Sequence, residues 1–379
     1  MQARTFTSIA AVAGAAALGY ATVIERNWFT LREQTVPVLP QGAAELRVLH
    51  ISDLHLTPGR HRLMAFVRSL DSLDPDLVVN TGDSIAATEA IQPLLQSLGP
   101  LLDRPGVFVY GSNDLYSPKP KNPARYLWRT SAGEHDRDEP DLPWEKLGQE
   151  MASAGWLDLN NQRGRLTAGG LDIAFAGTHD SHSARDRYDL VAGAADPTAD
   201  VRLGVTHSPE PRVLDQFAAD GYDLLLAGHT HGGQLCVPGY GALVTNCGID
   251  RGRVRGLSMH PQVAPPDGKT AWLHVSGGLG TSPWAPARFC CRPEATLLTL
   301  VPASYLQRWD PCCVSVRSGV PLSARLAEVR RGVPPAAGCS AAWQRASFGT
   351  KRSLVQIQSP RPGHKHRKAT GNRGLFLCE

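Results

Sequence analysis

The chain has 379 residues, 42% apolar and 20% charged, an ordinary soluble-globular composition with enough apolar residues for a sizeable core. Its net charge of +4 hides an asymmetry: residues 303–379 hold thirteen Lys and Arg against three Asp and Glu, so residues 1–302 are net acidic. An acidic body without a basic, aromatic-interleaved patch argues against a nucleic-acid partner, and eight cysteines without a C-x-x-C pair argue against a zinc ribbon or a disulfide framework.

In chain order, the first feature is an uncharged, Ala-rich run over residues 5–24. Its length just suffices to span a bilayer as a helix. Three readings stand side by side: a single N-terminal membrane anchor, a signal peptide cleaved near Gly19-Tyr20-Ala21 that would release a secreted protein, and a buried helix. Residues 1–44 are read as this segment plus a linker, 45–302 as the folded domain and 303–379 as a tail.

From residue 46 one pattern recurs. A short aliphatic run ends abruptly in polar residues and Gly. Residues 47–51 end in Ser52-Asp53-Leu54-His55, and 77–79 in Asn80-Thr81-Gly82-Asp83. Residues 107–110 end in Gly111-Ser112-Asn113-Asp114, and 171–176 in Gly177-Thr178-His179-Asp180. Residues 201–205 end in Thr206-His207, and 223–227 in Gly228-His229-Thr230-His231. Runs this short suit buried strands. Helix-like stretches at 60–73, 91–102, 144–154 and 210–219 lie between several of them, and two more strands follow at 270–275 and 295–301. Alternating strands and helices indicate an α/β fold with covered sheets, and such folds place ligands at strand C-termini. Residues 117–145, rich in Pro and charge, read as a long surface loop.

The strand ends collect Asp53, His55, Asp83, His207, His229 and His231. Asp53 and His55 are spaced i, i+2, as are His229 and His231, a spacing that on a strand points both side chains to one face. Gly82 permits a tight turn that aims Asp83 inward. Imidazole with carboxylate suits zinc, iron or manganese.

This ordered set of D-x-H, G-D, H and G-H-x-H motifs resembles the calcineurin-like metallophosphoesterase superfamily, most closely its membrane-associated bacterial YkuE/YaeI-like branch. The resemblance spans about residues 45–302. It implies a four-layer sandwich of two mixed β-sheets flanked by helices. It further implies two divalent metal ions, with Asp53, His55 and His231 on the first, Asp83 bridging, and His207 and His229 on the second. The implied activity is hydrolysis of a phosphoester substrate by a metal-bridging hydroxide, with phosphodiesters or lipid-linked pyrophosphates suiting a membrane-tethered enzyme.

The third motif departs from the family's G-N-H-D/E. Ser112 stands where an Asn ligand is usual and Asn113 where a His is usual. Either Asn113 supplies an amide oxygen to the second metal, or Ser112 or water does and Asn113 is a hydrogen-bond donor; it can also simply cap the turn. Asn lacks the proton that the usual His carries. His179 or His182 is a replacement acid, and Arg185 and Arg187 are candidates to grip phosphate, unless this segment is a solvated polar loop. Arg288 is a weaker phosphate contact, and Gln234 a loop stabiliser. The altered motif also motivates a second function class, a metal-binding module without turnover. The tail reads as disordered, with a basic run at 361–368. Leu354-Val355-Gln356-Ile357-Gln358-Ser359 is what a tRNA gene's T-arm would encode, which points to a frameshift or read-through beyond a natural stop near Pro302.

Overall fold

The computed structural model describes residues 12–120, 139–263 and 268–304. Fourteen strands and, beyond residue 30, five α-helices follow in chain order among them; helical backbone also runs over residues 12–19. The strands are β1 (Thr30–Leu39), β2 (Leu46–Ile51), β3 (Leu77–Asn80), β4 (Gly106–Phe108), β5 (Leu157–Asp158), β6 (Gln162–Ala168), β7 (Leu171–Gly177), β8 (Val201–Val205), β9 (Leu224–Ala227), β10 (Cys236–Val237), β11 (Gly241–Ala242), β12 (Gly256–His260), β13 (Ala271–Val275) and β14 (Glu294–Pro302). The helices are α1 (His61–Ser69), α2 (Ile91–Leu98), α3 (Ser112–Leu115), α4 (Trp144–Ser153) and α5 (Pro211–Asp220).

Two six-stranded sheets form, ordered β1-β14-β2-β3-β4-β5 and β12-β13-β9-β8-β7-β6. Both are mixed. β14 runs antiparallel to β2 in the first, and β12 and β6 are antiparallel edges of the second. Each strand's period-two alternation supplies two cores. Inward residues Val48, Leu77, Val79, Val107 and Leu298 meet Ile173, Phe175, Leu203, Val205, Leu224 and Leu226 between the sheets. Outward residues Leu49, Ile51, Val78 and Phe108 pack under α1, α2 and α4. Outward Leu225, Leu273 and Val275 pack under α5. Helix, sheet, sheet, helix is the four-layer architecture expected.

Helix boundaries follow local chemistry. The apolar stripe Val213, Leu214, Phe217 and Ala218 gives α5 its buried face. Pro211 opens it, and Gly221, at φ 92°, closes it in a left-handed cap.

The folded body begins earlier than residue 45. β1, read from sequence as linker, is the edge strand of the first sheet, pairing parallel to β14 from Thr30↔Glu294 onward. Ahead of it, Glu25 is buried and accepts hydrogen bonds from the Cys290 and Cys291 amides. Of the run expected as an anchor, residues 5–11 lie outside the described residues. Among the described residues no helix is long and apolar enough to cross a membrane. The tail from residue 305 and most of the loop at 117–145 also lie outside them.

Removing residues 1–40 should therefore destabilise the domain. Val36 and Leu39 are fully buried, and losing two such side chains costs at least ~3 kcal/mol. The measurement is the urea midpoint of the truncated chain against the full one; an unchanged midpoint would make β1 dispensable.

Candidate metal centre

The carboxyl ends of β2, β3 and β4 in one sheet meet those of β7, β8 and β9 in the other. Loops leaving neighbouring strands are tied together by backbone bonds. Asp53 N–H donates to Gly82 O and His55 N–H to Asp83 O, both at 2.8 Å, while Gly228 N–H donates to His207 O at 2.8 Å. The loops after β2 and β3, and those after β8 and β9, thus hold fixed registers in pairs, and the side chains of all four converge.

The convergence does not come from strand pleat. Asp53 and His55 lie past the end of β2, and His229 and His231 past the end of β9. Asp53, His55, Asp83, His229 and His231 all adopt positive φ, between 42° and 68°. Non-glycine residues there cost about 1–3 kcal/mol each, a strain that gathers at functional sites. The i, i+2 spacing named residues that do converge, but by left-handed turns and not by the alternation of a strand. Two glycines permit the crossing. Gly82 has φ 93° and a Cβ there would strike the Gly111 backbone; a Cβ on Gly111 would strike the Asp83 carboxylate.

Asp53, His55 and His231 bring one ligand atom each to within 4.8 Å of one another, and so do Asp53, Asp83 and His207. Asp83 Oδ2 lies 3.4 Å from His55 Nε2 and 3.5 Å from His207 Nε2, between the two groups. His229 Nδ1 is 3.3 Å from His207 Nε2. His55 and His231 are stacked, with Nε2 atoms 3.1 Å apart.

Outer partners orient the rings. His207 Nδ1 is 2.7 Å from the Thr81 carbonyl, which sets that nitrogen as the donor and turns Nε2 inward. His229 Nε2 is 3.2 Å from the Asn246 carbonyl, which leaves Nδ1 facing the site. Behind Thr81, His50 Nε2 approaches its hydroxyl at 2.9 Å, and His50 Nδ1 contacts buried His274. Asp114 accepts from the amides of Asp83, Ser84, Ile85 and Gly111, so a buried carboxylate clamps the Asp83 turn.

Asn113 reaches Asp83 twice, through its amide N–H to Oδ1 at 2.7 Å and through Nδ2 to Oδ2 at 2.8 Å. Its side-chain nitrogen is thus a donor to the central carboxylate, and Ser112 Oγ lies 3.4 Å from that nitrogen. His182 packs on His229 with ring centres 4.4 Å apart, and its Nδ1 is 4.0 Å from Glu210. His179 is turned into the protein, where its Nδ1 accepts from the Asp180 amide at 2.6 Å. Arg185 stacks on and bonds Tyr116, just past α3. Arg187 is away from the site, exposed and paired with Asp189. Arg288, expected as a phosphate contact, is completely buried and donates to the carbonyls of Gly277, Gly278, Gly280 and His231. Gln234 does tie its loop, bonding Ala285 O.

Sequence reading gave no role to Asn246, Asp114, Thr81 or the His50–His274 pair. Only Asp114 carried a signal, as the acidic end of the third motif.

Charge divides the imidazoles. Burial lowers His55 to about 4 and holds His229 and His231 low, so all three are neutral lone-pair donors at neutral pH. His207 is the exception: burial pulls it down, but Asp83 lifts it well above the ordinary value. Four imidazoles and two carboxylates on a buried locus fit borderline divalent ions.

Residues 46–233 match the family model for calcineurin-like phosphoesterases. The chain carries a calcineurin-like metallophosphoesterase domain. This family hydrolyses phosphate esters and needs divalent metals. The chain is 26% identical to the phosphodiesterase YaeI of Escherichia coli over 77% of its own length and 96% of that protein's. It is 26% identical to the metallophosphoesterase YkuE of Bacillus subtilis, covering 74% and 89%. It is 28% identical to the UDP-2,3-diacylglucosamine pyrophosphatase LpxG of Chlamydia trachomatis, covering 67% and 83%.

The raised His207 makes metal loading proton-linked. The imidazole is protonated in the metal-free domain and must lose that proton to become a ligand. Uptake should release about one proton at pH 7, and apparent affinity should fall as pH drops. Calorimetry in buffers of different ionisation enthalpy measures the proton; the release should vanish in His207→Ala.

Proposed function

We propose that the chain is a two-metal phosphodiesterase acting on phosphodiester or lipid-linked phosphoester substrates at a membrane. The observation that carries this reading is the position of Asp83 Oδ2, about equally far from His55 Nε2 and His207 Nε2. In it, Asp53, His55 and His231 would hold the first ion, His207 and His229 would hold the second, and Asp83 would serve both. Bound divalent ions supply Lewis acidity and a water of lowered pKa.

The remaining work falls to side chains. Asn113, donating to Asp83, fixes the bridging carboxylate and offers an amide where substrate oxygen would lie. Arg185, held by Tyr116, is placed to meet a phosphate oxygen as a charged donor. His182 is the preferred proton donor to the leaving oxygen, with Glu210 behind it. His179 orients the Asp180 turn. Burial lowers His182 to about 3 and His179 to about 4, so His182 needs the charge of bound substrate to take up its proton.

The membrane part of the proposal rests on the uncharged N-terminal run, with secretion after cleavage as its alternative, and on the lipid-linked substrate in the name of the Chlamydia relative. Purified full-length chain loaded with Mn²⁺ or Zn²⁺ should hydrolyse bis-p-nitrophenyl phosphate. Asp83→Asn should lower kcat at least ~10³-fold by losing the bridge. His182→Gln should cost about 10²–10⁴-fold on an alkyl ester and much less on the p-nitrophenyl ester, whose leaving group needs no proton. Two bound ions with no turnover of either ester would favour the metal-holding module instead.

A further inference from the structure

Among the described arginines, Arg26 and Arg60 are set apart by a buried side-chain nitrogen without an acceptor. Arg104, Arg165, Arg202 and Arg212 each face a carboxylate within 4.0 Å. Among the described residues, neither Arg26 nor Arg60 has an ion-pair partner. Arg26 Nε and Arg60 Nη2 are buried donors without an acceptor. A buried guanidinium N–H left unsatisfied is costly, and an anionic group of a substrate is a fitting acceptor for it.

Their positions tie them to the metal centre. Arg60 follows His55 by five residues, opens α1, and is one of the charges that keep His55 neutral. Arg26 lies in the turn that leads into β1. That turn is pinned to the loop under His231: Glu25 accepts from Cys290 and Cys291, and Arg288 N–H donates to Ala21 O. Arg288 Nη2 in turn lies 3.2 Å from His231 Nδ1. Burial and then the like charges of Arg26 and Arg288 pull Arg60 down to about 10. It remains a cation at neutral pH, and its guanidinium is repelled by those of Arg26 and Arg288.

We infer that Arg26 and Arg60 form an anion subsite beside His55 and His231 that binds a second phosphate group of the substrate, next to the one that is cleaved. This rests on the phosphodiesterase reading and narrows its substrate class to diphosphate diesters.

The test compares full-length wild type, Arg26→Gln, Arg60→Gln and the double variant, each checked for an unchanged circular dichroism spectrum. A soluble diphosphate diester and bis-p-nitrophenyl phosphate serve as paired substrates. The kcat/KM preference for the diphosphate should fall about 10- to 100-fold in the double variant, the loss expected from charge-assisted hydrogen bonds. Arg60→Lys should recover part of it. An equal fall on both substrates, or none, overturns the subsite. So does loss of affinity for anionic phospholipid vesicles with the substrate preference intact, since the pair would then hold headgroups. A second readout is independent of turnover: calorimetric titration of metal-free protein with inorganic phosphate should weaken about ten-fold in the double variant, and equal binding overturns the proposal. Wild type that hydrolyses neither ester defeats the phosphodiesterase reading by itself, and the phosphate titration then decides the arginine pair.

Discussion

Two sheets pressed face to face by aliphatic side chains determine where everything else in this molecule can be. The dry layer of Val48, Val79, Val205, Leu224 and Leu226 fixes the strand ends of one sheet above those of the other. Loops leaving those ends have no freedom to drift, because each is bonded to the next through main-chain N–H and C=O groups. Six candidate ligand side chains from four separated stretches of sequence thereby meet without any of them packing the core. The hydrophobic term supplies the scaffold, and it is large enough to carry five left-handed ligand residues that local conformational preference opposes.

Within that frame, Asp83 organises the charge. It lies between His55 and His207, accepts twice from Asn113, and has its turn gripped by Asp114. Its carboxylate is also what singles out His207, keeping that imidazole protonated while burial strips the other three. One side chain therefore acts on ligand geometry, proton inventory and the third motif together. The change from the family's usual Asn-His to Ser112-Asn113 falls against this residue.

Much of the architecture was readable from sequence because buried strands of four to six apolar residues contrast sharply with the polar turns that end them. The helices were readable for the same reason, through their apolar stripes. β1 was not, since Arg32, Glu33 and Gln34 break its apolar pattern and its partner β14 lies more than 250 residues away. β6 was missed likewise, as its exposed polar residues have the character of an edge. At the site, ligand types and order were plain in the motifs. Ring orientation was not, because the atoms that set it are backbone carbonyls of Thr81 and Asn246, which carry no residue signature. Arg288 misled for a related reason: a guanidinium satisfied wholly by main-chain oxygens is spelled like one waiting for phosphate.

The early start of the folded body has a mechanical meaning. Helical backbone at residues 20–27 passes into β1 within three residues, and Glu25 and Ala21 are bonded directly to the loop beneath His231. No slack chain separates the leading segment from the metal loops. An object holding that segment would hold the mouth of the site at a fixed height and tilt, like a tool on a short rigid shank. A protein held in that way would work on what lies at one distance from the holder and would not sweep a volume.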